Sequence, residues 1–231
     1  MDNARITRRG SLIRLGGLAA AALGAGAWKA AADADGAGPA AVASDEVTCV
    51  LAPEQTEGPY YVPRAKVRRD VTEGKRGTVL MLQLKVVDAS SCKAIKGASV
   101  DIWHCDAAGV YSGVGSAQAA TFLRGIQKTD ARGVATFKTI YPGYYPGRTV
   151  HIHVKVHLGG NVVHTGQLYF PDATTDRVYK AAPYSSRPPR ATRNTGDSIY
   201  RNGDKRSQVV VRKRSGAPGY LGTIAMGVHR S

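Results

Sequence analysis

The chain has 231 residues, with 32 Lys and Arg against 17 Asp and Glu and a formal net charge of +15 at pH 7. That length suits one domain with one sizeable core. Its three cysteines, Cys49, Cys92 and Cys105, match no zinc framework. A basic surplus attracts anionic partners, but no nucleic-acid motif accompanies it. A solvated basic surface is expected, and no nucleic-acid partner.

Residues 1–34 read as an export signal. Thr7-Arg8-Arg9-Gly10-Ser11-Leu12-Ile13-Arg14 precedes an apolar, Ala/Gly-rich run from Leu15 to Trp28, and small residues surround a cleavage region near Ala30 to Ala34. The pattern is of the twin-arginine type; an ordinary secretory signal or membrane anchor is the competing reading. The run is too short and too rich in glycine for a transmembrane helix. The expectation is a periplasmic or extracellular protein with no stable membrane insertion after processing. Residues 35–44 read as a flexible linker and residues 45–231 as the folded domain. An oxidising compartment favours a Cys49–Cys92 disulfide and leaves Cys105 as a buried thiol.

Residues 45–77 are irregular and contain Glu54-Gln55-Thr56-Glu57-Gly58-Pro59-Tyr60-Tyr61. Thr78 to Asp88 is the first long strand and Ala98 to Cys105 the second. A loop from Asp106 to Ala120 carries Tyr111. Gly125 to Thr129 and Val134 to Ile140 form a predicted hairpin around the turn Asp130-Ala131-Arg132-Gly133. The strand from Val150 to His157 follows, then Val162 to Phe170. After Pro171 the sequence is basic and poorly patterned, with 12 Lys and Arg against 4 Asp. Val209 to Val211 and Thr223 to Met226 return as late strands. No repeat and no long amphipathic helix interrupts this all-β pattern.

From Val150 to His157, apolar and polar residues alternate strictly, as in a half-buried strand. His151 and His153 therefore share one face, one pleat apart, close enough to bind a single metal ion. His157 continues that face one pleat further on. The turn Tyr141-Pro142-Gly143-Tyr144-Tyr145-Pro146-Gly147 delivers tyrosines beside the start of this strand. Tyr111 follows a second strand and its turn.

Together these motifs resemble the intradiol ring-cleaving dioxygenases, the family of catechol and protocatechuate dioxygenases. The resemblance is carried by Trp103-His104-Cys105-Asp106-Ala107-Ala108-Gly109-Val110-Tyr111, by Pro142-Gly143-Tyr144-Tyr145-Pro146, and by Arg148, His151 and His153 in the pattern Arg-x-x-His-x-His. Gln167 in the next strand and the Glu57-Gly58-Pro59-Tyr60-Tyr61 cluster extend it. The match runs from about Glu54 to Asp172, with the motifs in family order.

The resemblance implies a mixed-topology β-sandwich of the transthyretin-like kind. It also implies a non-haem Fe(3+) held by Tyr111, Tyr145, His151 and His153. Hard ferric iron favours anionic oxygen donors, and a bound cation lets a phenol ionise. By the same resemblance, Tyr145 is the ligand displaced when a catechol chelates, and it then takes up a proton. Arg148 and Gln167 stabilise the anionic ring, and Tyr60 and Tyr61 line the pocket. The implied partners are catechols and dioxygen, and the products are muconate-type dicarboxylic acids. Export points to substrates met outside the cytoplasm, such as lignin-derived phenols.

Two other readings compete: a non-catalytic transthyretin-like binding module, and a zinc hydrolase built on His151, His153 and His157. The latter lacks a placed carboxylate base. The helical dimerisation segment of cytoplasmic catechol enzymes has no counterpart here, so the oligomeric state stays open.

Overall fold

The structure, a computed structural model, describes residues 50–63 and 65–230. The expected signal segment, the linker and Cys49 lie outside the described residues. Cys92 is disulfide-bonded, and Cys105 is a free, buried thiol whose pKa burial pushes up to about 12.

Eight strands form, β1 (Val79–Asp88), β2 (Ser99–Trp103), β3 (Arg124–Lys128), β4 (Val134–Ile140), β5 (His151–Leu158), β6 (Asn161–Tyr169), β7 (Val210–Lys213) and β8 (Tyr220–Val228). Two short helices, α1 (Asp172–Val178) and α2 (Ser198–Gly203), lie between β6 and β7. The strands make two four-stranded sheets, ordered β4-β1-β8-β7 and β3-β2-β5-β6. β1 and β8 run parallel, and the other pairs are antiparallel. The sandwich is thus of mixed topology.

Period-two alternation sends one face of each strand into the space between the sheets. Leu80, Leu82 and Leu84 of β1, Phe137 of β4 and Ile224 and Met226 of β8 meet Val100 and Ile102 of β2 and Ile152, Val154 and Val156 of β5 in one buried cluster. Each such side chain contributes about 1.5–3 kcal/mol by leaving water.

Two expectations change. β3 and β4 do not form a hairpin: β3 pairs with β2 and β4 with β1, in different sheets. The Asp130 turn does close, with Asp130 Oδ1 accepting from the N–H of Arg132 and Val134 at 2.8 and 2.9 Å. The edges that would have paired are occupied by residues 66–71, which bridge to Ile126 of β3 and Lys138 of β4. β5 is also not half-buried, since residues 151–156 are buried on both faces.

The basic stretch after Pro171 is ordered by ion pairs rather than by an apolar pattern. Arg190, almost fully buried, donates to Asp172 Oδ1 at 2.6 Å and Asp176 Oδ1 at 2.8 Å across α1. The late strands are longer than expected, because β8 lies between β1 and β7 and is paired on both edges.

Phe137 is 0% exposed at the centre of this core. Phe137→Ala is expected to lower the free energy of unfolding by about 3–5 kcal/mol. A denaturant titration at unchanged m-value checks this, and a loss below about 1 kcal/mol would contradict the placement.

Candidate metal centre

The alternation along β5 divides its side chains between two interiors. Ile152, Val154 and Val156 enter the sandwich core, while His151, His153 and Lys155 stand on the other face. That face is covered by residues 54–61 and by the segment around α2. Gln167 Nε2 donates to the Thr56 carbonyl at 2.9 Å, and Gln55 Nε2 donates to the Ile199 carbonyl at 2.7 Å. The cover leaves His151 and His153 only 2% and 1% exposed.

His151 Nδ1 lies 2.7 Å from the Thr149 carbonyl oxygen. A carbonyl can only accept, so Nδ1 carries the proton and Nε2 presents a lone pair. That lone pair faces Nε2 of His153 at 3.1 Å. Burial first, then the neighbouring Arg148 cation, push the His151 pKa down to about 3. Burial and the adjacent His151 hold His153 well below the usual imidazole value. Both rings are therefore neutral near pH 7, the form in which imidazole binds metals.

The tyrosines arrive on two interlocked turns. Asp106 Oδ1 accepts from the N–H of Ala108 and Val110 at 2.9 and 3.0 Å, which shapes the turn before Tyr111. A Cβ on Gly109, whose φ is +87°, would overlap the Tyr144 carbonyl oxygen. One on Gly143 would overlap the Asp106 carbonyl oxygen. The absence of these two Cβ atoms lets the turns touch backbone to backbone. The Tyr111 and Tyr145 rings then meet at 5.7 Å and 70°. Their hydroxyls lie 3.5 and 3.1 Å from His151 Nε2.

Whether a cation fits here can be judged from the donors. Three of the four expected ligand atoms lie 3.1–3.5 Å from the fourth, His151 Nε2. Two donors each roughly 2.0–2.1 Å from one ion stand roughly 3 Å apart at angles near 90–110°. The set fits one small cation. Burial raises the pKa of Tyr145 and holds that of Tyr111 well above the ordinary phenol value, so these hydroxyls need a bound cation to ionise. Among the described residues no group of three or more His, Cys, Asp or Glu side chains is arranged to hold a metal. The phenols are indispensable to any ion bound here.

The other histidines stay outside this group. His157 lies beyond a register shift between Val156 and His157, so the three-histidine set does not assemble. His104 is tied to the Cys105 carbonyl and Thr139 Oγ1 at 2.8 and 2.7 Å. His164 pairs with Glu54 at 2.7 Å.

Arg148 and Gln167 come together beside the histidines. Arg148 Nη2 donates to Gln167 Oε1 at 2.5 Å, and the Tyr169 hydroxyl donates to the same oxygen at 3.0 Å. Gln167 sits directly across the β5–β6 ladder from His153. Of the two neighbouring tyrosines, Tyr60 stacks on Tyr111 at 4.4 Å and meets Tyr145 edge-on at 5.9 Å. Tyr61 instead packs against Trp103 at 4.8 Å.

The sequence profile of a family described as "Dioxygenase" matches residues 56–183, which span both tyrosines, both histidines, Arg148 and Gln167. An intradiol ring-cleavage dioxygenase structure from Tetranychus urticae is 35% identical, with a TM-score of 0.74, covering 78% of this chain and 95% of that one. The chain belongs to the intradiol ring-cleaving dioxygenase family. The dioxygenase domain of a dioxygenase carbohydrate-binding protein fusion from the cellulolytic bacterium Streptomyces sp. SirexAA-E is 33% identical, with a TM-score of 0.60, over 79% of this chain and 100% of that one. A chlorocatechol 1,2-dioxygenase of Pseudomonas putida is 26% identical over 137 residues, 49% of this chain. The chain spans about half of that relative, 52% of its length.

For this intradiol family member, two supports of the centre take on that role only in the structure. Asp197, 1% exposed, accepts from Arg148 Nε at 2.8 Å and from the Thr149 N–H at 2.9 Å. It thereby fixes both the guanidinium and the backbone that orients His151. Trp103 stacks on His153 at 4.9 Å and 6°. Asp197 lies in the unpatterned basic stretch and carries no local signal. Trp103 was visible, but only as part of a motif.

Gly143→Ala is expected to force the two tyrosine turns apart while leaving the sheets intact. Metal taken up per chain should fall below wild type with an unchanged far-ultraviolet circular dichroism spectrum. Full metal uptake would show that the interlock does not place the phenols.

Proposed function

We propose that the protein is a non-haem iron(III) dioxygenase that opens catechol-type rings between the two hydroxyl-bearing carbons and releases muconate-type dicarboxylic acids. The observation that carries this reading is the convergence of two phenol oxygens and one imidazole nitrogen on His151 Nε2. Tyr111, Tyr145, His151 and His153 would hold the iron. When bound, ferric iron would ionise the phenols, chelate the two catechol oxygens and draw electron density from the ring toward reaction with dioxygen.

The chain's own residues divide the remaining work. Tyr145 is the least buried of the four donors, which suits it to leave the centre and to accept a catechol proton on its Oη. Tyr111, 4% exposed, is locked beneath Tyr60. Arg148, held by Asp197 and Gln167, is a fixed cation whose geometry costs no reorganisation as the ring becomes anionic. Gln167 has its carbonyl oxygen filled by Arg148 and Tyr169 and one amide N–H given to Thr56. Its first role is thus to aim Arg148. Tyr60 offers an aromatic face at the mouth. The proposal includes export, supported by the Arg8-Arg9 segment, and so places the substrates outside the cytoplasm.

Protein loaded with ferrous iron and oxidised in air should be coloured by tyrosinate-to-iron charge transfer. It should convert catechol to a muconate rather than to a semialdehyde. Tyr145→Phe should weaken the visible band, and His151→Ala should abolish turnover. Arg148→Gln should lower kcat about 100-fold with iron content retained. A colourless, iron-loaded protein that leaves catechols intact would end this reading and favour a non-catalytic binding module.

A further inference from the structure

The two ligand histidines are held in different ways. His151 is aimed by its Nδ1–H donating to the Thr149 carbonyl at 2.7 Å. His153 has no such partner: its Nδ1 is buried and makes no hydrogen bond. A metal-binding imidazole ordinarily gives its second nitrogen to a carboxylate, a carbonyl or water, which fixes the ring's direction. Packing has to supply that direction here.

The packing is a layered stack on the outer face of the β2–β5 pair. The Trp103 indole lies flat on the His153 ring, 4.9 Å between centroids and 6° from parallel. Tyr61 covers Trp103 at 4.8 Å and 54°. Tyr61 is gripped in turn. Lys155 places its ammonium 3.9 Å from the centre of the Tyr61 ring and is paired with Glu57 of the same loop. Asp101, directly across the ladder from Lys155, lies beside Tyr61, and burial together with this carboxyl raises the pKa of the Tyr61 hydroxyl. Asp101 is 2% exposed and its buried Oδ2 makes no hydrogen bond, and burial pushes its carboxyl up to about 7. On the other flank the Gly58 backbone comes so close that an added Cβ would lie 3.2 Å from His153 Cε1.

We propose that Tyr61 is a positioning residue for the metal centre: held by Lys155, it presses Trp103 onto His153 and so does for this ring what the Thr149 carbonyl does for His151. Tyr61 therefore acts on the iron site and not on the substrate, unlike its neighbour Tyr60. The inference rests on the iron reading above.

The test uses wild type, Tyr61→Phe and Tyr61→Leu, each loaded with iron. Three quantities are measured: iron per chain, the rate at which a chelator strips it, and the thermal midpoint of the iron-free protein. Tyr61→Leu, which removes the ring, should lose iron to the chelator roughly 10-fold faster or more. Tyr61→Phe keeps the stack but loses the hydroxyl beside Asp101 and weakens the ring under the Lys155 cation, and should be faster than wild type by a smaller factor. A purely structural role would lower the thermal midpoint and leave the stripping rate unchanged. Stripping rates equal to wild type in both variants overturn the proposal. If Tyr61→Leu does not fold, Tyr61→Phe decides alone, by a faster or an unchanged rate. Wild-type protein that takes up no iron at all would instead overturn the iron reading, and this inference with it.

Discussion

Two imidazole nitrogens 3.1 Å apart and sealed from water cannot both carry a charge, and burial beside Arg148 disfavours even one. Everything around the centre respects this limit. Burial lowers both histidine pKa values, and the fixed positive charge nearby, Arg148, is matched by Asp197 rather than by a carboxylate at the centre. An uncharged pair of lone-pair donors leaves the site short of negative charge. The two phenols are the groups that can provide it, and they can do so only when a cation draws off their protons.

Geometry follows from that electrostatic demand. β5 serves two interiors, with aliphatic residues facing the sandwich core and imidazoles facing a second, smaller enclosure. The enclosure is sealed by parts of the chain far apart in sequence. Residues 54–61 come from before β1, and the α2 region comes from after β6. Gln167 ties the first of these to the sheet through Thr56, and Gln55 ties the two to each other. The basic stretch after Pro171, which composition alone presents as a solvated tail, thus becomes one wall of the site.

Much of this was legible in the sequence. The strict alternation around His151 and His153 gave their common face, and the Gly/Pro turn placed Tyr145 beside that strand, because both are local properties of a few residues; Tyr111 was singled out through the family resemblance. The long strands were legible for the same reason. What stayed hidden depends on distant partners. Asp197 meets Arg148 across 49 positions, and no periodicity marks it. The parting of β3 and β4 into separate sheets was masked by a sound turn at Asp130. That turn is compatible with a hairpin until residues 66–71 take the competing edges. The burial of both faces of β5 was likewise invisible, since loops without a pattern supply the cover.

The parallel pairing of β1 with β8 joins the first strand of the sandwich to the last. Asp197 lies on the excursion between β6 and β7 and reaches back to Arg148 and Thr149, just ahead of β5. The brace on the arginine beside the histidines is thus made by chain that lies far from them in sequence. Such long-range closure slows folding, and it makes the centre a product of tertiary assembly rather than of local chain structure.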